Sequence, residues 1–178
     1  MKVLSGFVLF LLLNCLSETA ESRKLHLGSC TISVHTHELR KYYNEIRSDV
    51  LAADNEIGVR LLKRPLMGEA QGEERCCFLR LLLRFYIDKV FGSHSTSQPQ
   101  HQRSTSALAN AFYCARRDLL RLCDCHCGEE TQRAIDSIYA EFTKLDVNQA
   151  ALKAMGELDT VLDWLDRLSQ ATSTQHDA

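Results

Sequence analysis

Cys76 and Cys77 stand side by side, and Cys123, Cys125, His126 and Cys127 fall within five residues. Sulfur at that density either holds a soft metal or forms disulfides. Structural zinc sites usually separate paired ligands by two to four residues, which C-x-C-x-C does not do, so no metal is expected. Adjacent cysteines on a helix point about 100° apart, so each finds its own partner. The Cys76-Cys77 pair is therefore read as the anchor that ties a later part of the chain to the core.

No other constellation promises catalysis. There is no G-x-S-x-G, no H-E-x-x-H and no Gly-rich phosphate loop. His37-Glu38 lacks a histidine at the required later position, and the seven histidines are dispersed. Neither an enzyme nor a cofactor is expected. A formal net charge of −2 argues against nucleic acid as a partner. The total hides an asymmetry: residues 1–123 carry 17 Lys+Arg against 12 Asp+Glu, whereas residues 124–178 carry 4 against 11. Such halves attract one another within one fold, or present a sign-split surface.

The compartment follows from the N-terminus. Met1-Lys2, the apolar run Val3 to Leu13 and the small residues Cys15, Ser17 and Ala20 read as a secretory signal peptide. Residues 1–17 are expected to be removed, with cleavage after Ala20 the alternative. Residues 18–169 then form a single extracellular domain, where disulfides persist, and 170–178 a disordered tail. With Cys15 gone, seven of the eight cysteines remain. Seven choices of the odd cysteine times fifteen pairings of the rest leave the connectivity open.

The element that must position the thiols is Arg75–Phe91, RCCFLRLLLRFYIDKVF. Arg80, Arg84 and Asp88 recur every four residues, one thin polar stripe on a helix that is otherwise apolar. Three arginines, an aspartate and a lysine exclude a membrane span. It is a central helix that others wrap. A first helix is expected from Thr36, its N-cap, to Ala53, with Leu39, Tyr42, Tyr43, Ile46, Val50 and Ala53 inward. Ile57, Val59 and Leu61 alternate in an extended piece. In Val59 to Arg64 the basic residues Arg60, Lys63 and Arg64 alternate with aliphatic ones. This is either a solvated loop with its apolar members tucked in or a contact for a partner.

After the polar stretch 92–103 a second long helix is expected near Ser104. Leu108, Phe112, Ala115, Leu119 and Leu122 form its core seam. Helical phase puts Cys114 opposite that seam and nominates it as a solvent-facing free thiol. A helix opening at Glu129-Glu130 buries Ile135, Ile138, Phe142 and Leu145. A last helix is expected from about Gln149 to Leu168, with Trp164 at the border of its apolar stripe and Glu157, Asp159, Asp163 and Asp166 outside it. No strand pair stands out. The fold class is all-α.

Taken together, these residues resemble the interleukin-20 subfamily of interleukin-10-type cytokines. The resemblance rests on LGSC (27–30), EIR (45–47), RLLKR (60–64), RCC-x-LR (75–80), SALANAF (106–112), LRLC (120–123), CHCGEE (125–130) and KAMGELD (153–159). It covers nearly all the chain beyond the leader. It implies a compact, disulfide-tied bundle of about six or seven helices, monomeric, that joins two cell-surface receptor chains. Those would be the interleukin-20 receptor alpha and beta chains, or the interleukin-22 receptor alpha chain with the beta chain, signalling through Janus kinases and STAT proteins. It implies the pairs Cys30–Cys123, Cys76–Cys125 and Cys77–Cys127. Carried over, Arg60, Leu62, Lys63 and Arg64 with Asp159, Asp163 and Asp166 would meet one receptor chain. Arg40, Lys41 and Asn44 with Asn110, Arg117 and Arg121 would meet the other. The alternative from another class is a secreted saposin-like lipid-binding helical protein, disfavoured because each helix keeps an intact polar stripe.

Overall fold

A computed structural model of the chain describes residues 21–63 and 72–170. The leader, Cys15, Arg64 and the tail beyond Gln170 lie outside the described residues. Gln170 itself, expected in the tail, closes the last helix.

The chain opens on a hairpin, which corrects the expectation of no strand pair. β1 (Arg23–Leu27) pairs antiparallel with β2 (Cys30–Val34), Leu27 facing Cys30 across Gly28-Ser29. Leu25, Leu27, Ile32 and Val34 are buried, so each strand gives alternate residues to the core. Gly28 has φ 76°. A side chain there would also meet the Glu73 backbone nitrogen at 2.9 Å. The turn needs glycine on both counts.

α1 (Thr36–Ala53) buries Leu39, Tyr43, Ile46 and Val50, while Tyr42 is half-buried and Ala53 exposed. Its inward stripe is narrower than predicted. His35 occupies the cap position, and Thr36, the expected cap, is a buried first-turn residue. The segment after α1 is a loop, not a strand: Ile57 is 95% exposed, whereas Leu61 and Leu62 are buried.

α2 (Glu74–Phe85) runs on into a π-helical segment, Tyr86–Phe91. Together they are the predicted rod, its Arg84 bonded to Asp88 at 3.3 Å along the polar stripe. Phe78 meets Trp164 edge-on at 5.3 Å between ring centres. Phe85 meets Tyr139 and Phe142 in the same way, and Tyr86 and Phe91 both pack on Phe112. Edge-to-face pairs of this kind add about 0.5–1.5 kcal/mol each beyond area burial.

α3 (Pro99–Leu122) starts earlier than the expected Ser104, with proline in its first turn. Leu108, Phe112, Ala115 and Leu119 are buried, but Leu122 is 64% exposed. The seam's phase holds and its last member does not, because α3 ends there and Cys123 turns into extended backbone.

α4 (Glu129–Thr143) buries Ile135, Ile138 and Phe142. The single last helix predicted is two: α5 (Val147–Gly156) and α6 (Leu158–Gln170), broken at Glu157. Trp164, expected at the border of the apolar stripe, is only 4% exposed. No helix among the described residues is long and apolar enough to cross a membrane.

Candidate functional site

One end of the molecule is tied by sulfur. Cys30 is bonded to Cys123, Cys76 to Cys125 and Cys77 to Cys127, with Cα atoms 5.5, 5.3 and 5.3 Å apart. These are the pairs the resemblance implies. They fasten β2 and the first turn of α2 to the segment between α3 and α4. The sulfurs of Cys30, Cys76 and Cys123 lie within 4.8 Å of one another, as two neighbouring bridges. Cys114, nominated as the solvent-facing free thiol, is half-buried on α3, and its sulfur is assigned to a disulfide shared with none of the other six described cysteines. Helical phase gives a side chain's direction but not what it meets there.

The break at Glu157 organises a second locus. The final carbonyls of an α-helix have no partner within it. Here the Tyr86 hydroxyl donates to the Ala154 carbonyl at 2.8 Å, and the Tyr43 hydroxyl to the Gly156 carbonyl at 3.1 Å. Both tyrosines are fully buried, and burial pushes each phenol's pKa up. With α5 so ended, the Glu157 carboxylate turns to the loop after α1. It accepts the backbone N–H of Leu61 at 2.9 Å and of Leu62 at 2.6 Å. Asp54, at the end of α1, accepts the Glu56 N–H at 3.0 Å and the Lys153 ammonium of α5 at 2.9 Å. The loop is thus fixed at both ends. Leu61 and Leu62 point in, and Arg60, Lys63 and Ile57 remain exposed. Desolvation raises the Glu157 pKa, and the two backbone donors with Lys153 and Arg60 oppose the rise.

A third feature is a charged seam between α1 and α6. Arg40 reaches Asp163 at 2.6 Å and Asp166 at 2.7 Å, and Arg47 reaches Asp159 at 2.7 Å. Arg23 of β1 adds a longer contact with Asp166, at 4.0 Å.

Comparison with known proteins settles the class. The family model described as Interleukin 10 matches residues 8–169. The chain belongs to the interleukin-10 family. It is 38% identical to interleukin-20 of Mus musculus over 151 residues, 82% of this chain and 85% of that protein. The crystal structure of human interleukin-19 superposes with a TM-score of 0.66 at 29% identity, covering 76% of this chain and 89% of that one. An edited human interleukin 24 superposes at 0.68 and 30% identity, covering 81% and 97%. As an interleukin-10 family member the chain has a cytokine's function and is not an enzyme. Cytokines of this family act through cell-surface receptors.

The fold distributes the expected contact residues of this cytokine unevenly. Arg60 and Lys63 are exposed on the fixed loop, beside buried Leu62, whose 2% exposure removes it from any partner's reach. Lys41 and Asn44 are exposed on α1. On α3 Arg121 is exposed and Asn110 half-buried, while Arg117 is half-buried and paired with Asp118 at 2.9 Å. Arg40 was expected on one face and the three acids on another, but Arg40 binds Asp163 and Asp166 across the α1–α6 seam, where Arg47 binds Asp159. Sequence reasoning missed Ile57 and Glu157. Ile57 was placed in an alternating strand, and only the flanking Asn55 and Gly58 hint at a loop tip. Glu157 stood out as an acid near an apolar stripe, but no local signal marks its partners, which are backbone groups 95 and 96 residues away.

The saposin-like alternative would need an apolar cavity wide enough for lipid, and the one enclosed by the described residues is not. The cavity between the hairpin and α1, α2, α3 and α6, lined by Leu25, Leu39, Leu83, Phe112 and Leu165, has about 10 Å³ of space. That is room for about one water and not for an acyl chain.

Proposed function

We propose that this chain is a secreted, monomeric cytokine, processed by removal of residues 1–17, that joins two cell-surface receptor chains and starts Janus kinase/STAT signalling. The receptor chains are of the interleukin-20 receptor alpha and beta kind, or the interleukin-22 receptor alpha kind with the beta chain. The observation that carries the reading is the loop after α1. Its backbone is held by two carboxylates, and it leaves Arg60, Lys63 and Ile57 exposed. A preordered loop offering a guanidinium and an exposed aliphatic side chain suits the centre of a protein interface, because little ordering cost remains at binding. Arg64 extends the same basic run in sequence. Lys41 and Asn44 on α1, with Asn110 and Arg121 on α3, supply a second face.

Surface binding to soluble ectodomains of the candidate chains tests the reading. Arg60→Glu with Lys63→Glu is expected to weaken one receptor chain by about ten-fold or more, the loss typical of a hot-spot pair. The circular dichroism spectrum stays unchanged. Undiminished affinity for every candidate chain would refute the assignment.

A further inference from the structure

We infer that Glu157 is the positioning residue of the receptor loop: its ionised carboxylate sets the loop's binding conformation and is the acid-sensitive element of receptor engagement. This deepens the receptor-binding reading above and rests on it. Glu157 touches no partner itself. It sits at the break between α5 and α6, half-buried, and both its oxygens are spent on Leu61 and Leu62 backbone N–H groups. Those two residues lie between Arg60 and Lys63, the exposed cations of the loop. Two parallel N–H···O⁻ bonds fix the peptide planes on either side of Leu61, and so the direction in which each flanking cation leaves the backbone. Buried Leu61 and Leu62 side chains alone would anchor the loop's depth but not its rotation.

Lys153 and Arg60 face the carboxylate as positive groups, Lys153 being already bonded to Asp54. The Tyr86 hydroxyl, which also feels the charge, is committed to Ala154, and the Tyr43 hydroxyl to Gly156. None of these can replace the carboxylate as an acceptor for the two amides. On protonation one oxygen becomes an O–H donor aimed at a peptide N–H, and one of the two bonds is lost. Because burial raises this acid's pKa, protonation begins at a higher pH than for a free glutamate. The sign of the stability effect is opposite to that of binding. A raised folded-state pKa means that the folded chain holds this proton more tightly than the unfolded chain, so protonating Glu157 does not itself unfold the protein. It loosens the loop on an intact bundle.

The test measures affinity of the full disulfide-bonded chain for soluble receptor ectodomains, with Arg60→Glu plus Lys63→Glu run alongside. Glu157→Gln is nearly isosteric but puts an amide N–H₂ against one of the two peptide donors. It is expected to weaken binding about ten-fold at neutral pH, the cost of populating the competent loop less often. The wild-type advantage over Glu157→Gln then shrinks as pH falls from neutral into the acid range, starting at a higher pH than for an unperturbed glutamate because burial raises this carboxyl. Equal affinity of Glu157→Gln and wild type, while the charge reversal still weakens binding, would overturn the positioning role and leave the receptor-loop reading standing. No effect of the charge reversal would sink that reading and this inference with it. Should Glu157→Gln fail to fold, the wild-type profile decides against Glu157→Asp, whose shorter arm reaches only one amide. An unchanging wild-type to Glu157→Asp affinity ratio across that pH range would overturn the inference.

Discussion

Single side chains settle most of the architecture through backbone groups that would otherwise be orphaned. Tyr86 is the clearest case. Its ring lies between Phe85, Phe91 and Phe112, and its hydroxyl caps Ala154 in the last turn of α5. Tyr86→Phe keeps the ring packing and leaves that buried carbonyl unpaired. A loss of about 1–3 kcal/mol of unfolding free energy is expected from denaturant titration. A loss too small to measure would mean that water replaces the hydroxyl. Gly28 is the second case. Alanine there would combine a left-handed backbone with a collision against the Gly72–Glu73 peptide. Gly28→Ala is expected to cost roughly 1–3 kcal/mol in thermal denaturation, more than a glycine-to-alanine change in open strand. Gly58 has φ 87° but open space around it, so alanine there meets backbone strain alone.

At the level of elements, the sequence conveyed faces better than ends. The apolar period of 75–91 identified the central rod, and the seam of α3 was correct to Leu119. The hairpin was legible in principle, since Leu25, Leu27, Ile32 and Val34 alternate about Gly28-Ser29, but five-residue strands give a weak signal beside long helices. The break at Glu157 was not legible. Apolar spacing runs through 150–168, and Gly156 alone costs a helix only about 1 kcal/mol. What ends α5 is a pair of tyrosines from distant elements. The early start of α3 has the same origin. Its first turn holds no acid of its own. Glu45 of α1 instead accepts from Gln100 and from Ser104, and Asp49 accepts from Gln98 at 3.1 Å. A neighbouring helix thus supplies the negative charge that the N-terminal dipole favours. The Ser104 and Gln100 donors hold the Glu45 carboxyl below its usual range. With the folded pKa depressed, this contribution to stability is present above the unfolded value near 4.5 and is lost as pH falls through the folded one. Glu45→Gln is therefore expected to lower the melting temperature at neutral pH but not in acid strong enough to protonate the folded carboxyl, where wild type has lost the same interaction. An equal difference under both conditions would assign the loss to packing instead.

Across the whole molecule, the sign asymmetry of the sequence is largely spent inside the fold. The acid-rich C-terminal part returns as α6 onto basic residues of β1 and α1 through Arg23, Arg40 and Arg47. These pairs are half-exposed and worth little singly, about 0–1 kcal/mol. They orient α6 more than they hold it. What holds the two ends of the bundle differs in kind. The Cys123–Cys127 end is covalent, with three bridges from β2 and α2. The Glu157 end is polar, built from two carboxylates, two tyrosines and two leucine amides. The two should therefore come apart independently. Replacing both cysteines of the Cys30–Cys123 bridge by serine releases the hairpin's only described covalent tie to α3, and a loss of roughly 2–4 kcal/mol is expected. Amide hydrogen exchange should then quicken across β1 and β2, because the hairpin is left with its own ladder and the buried Leu25, Leu27, Ile32 and Val34. The Leu61 and Leu62 amides, bonded to Glu157 and far in sequence from either cysteine, should keep their relative protection. If their exchange quickened in step with the hairpin's, the two ends would be one cooperative unit, and the loop would owe its order to the disulfides as much as to its own carboxylate.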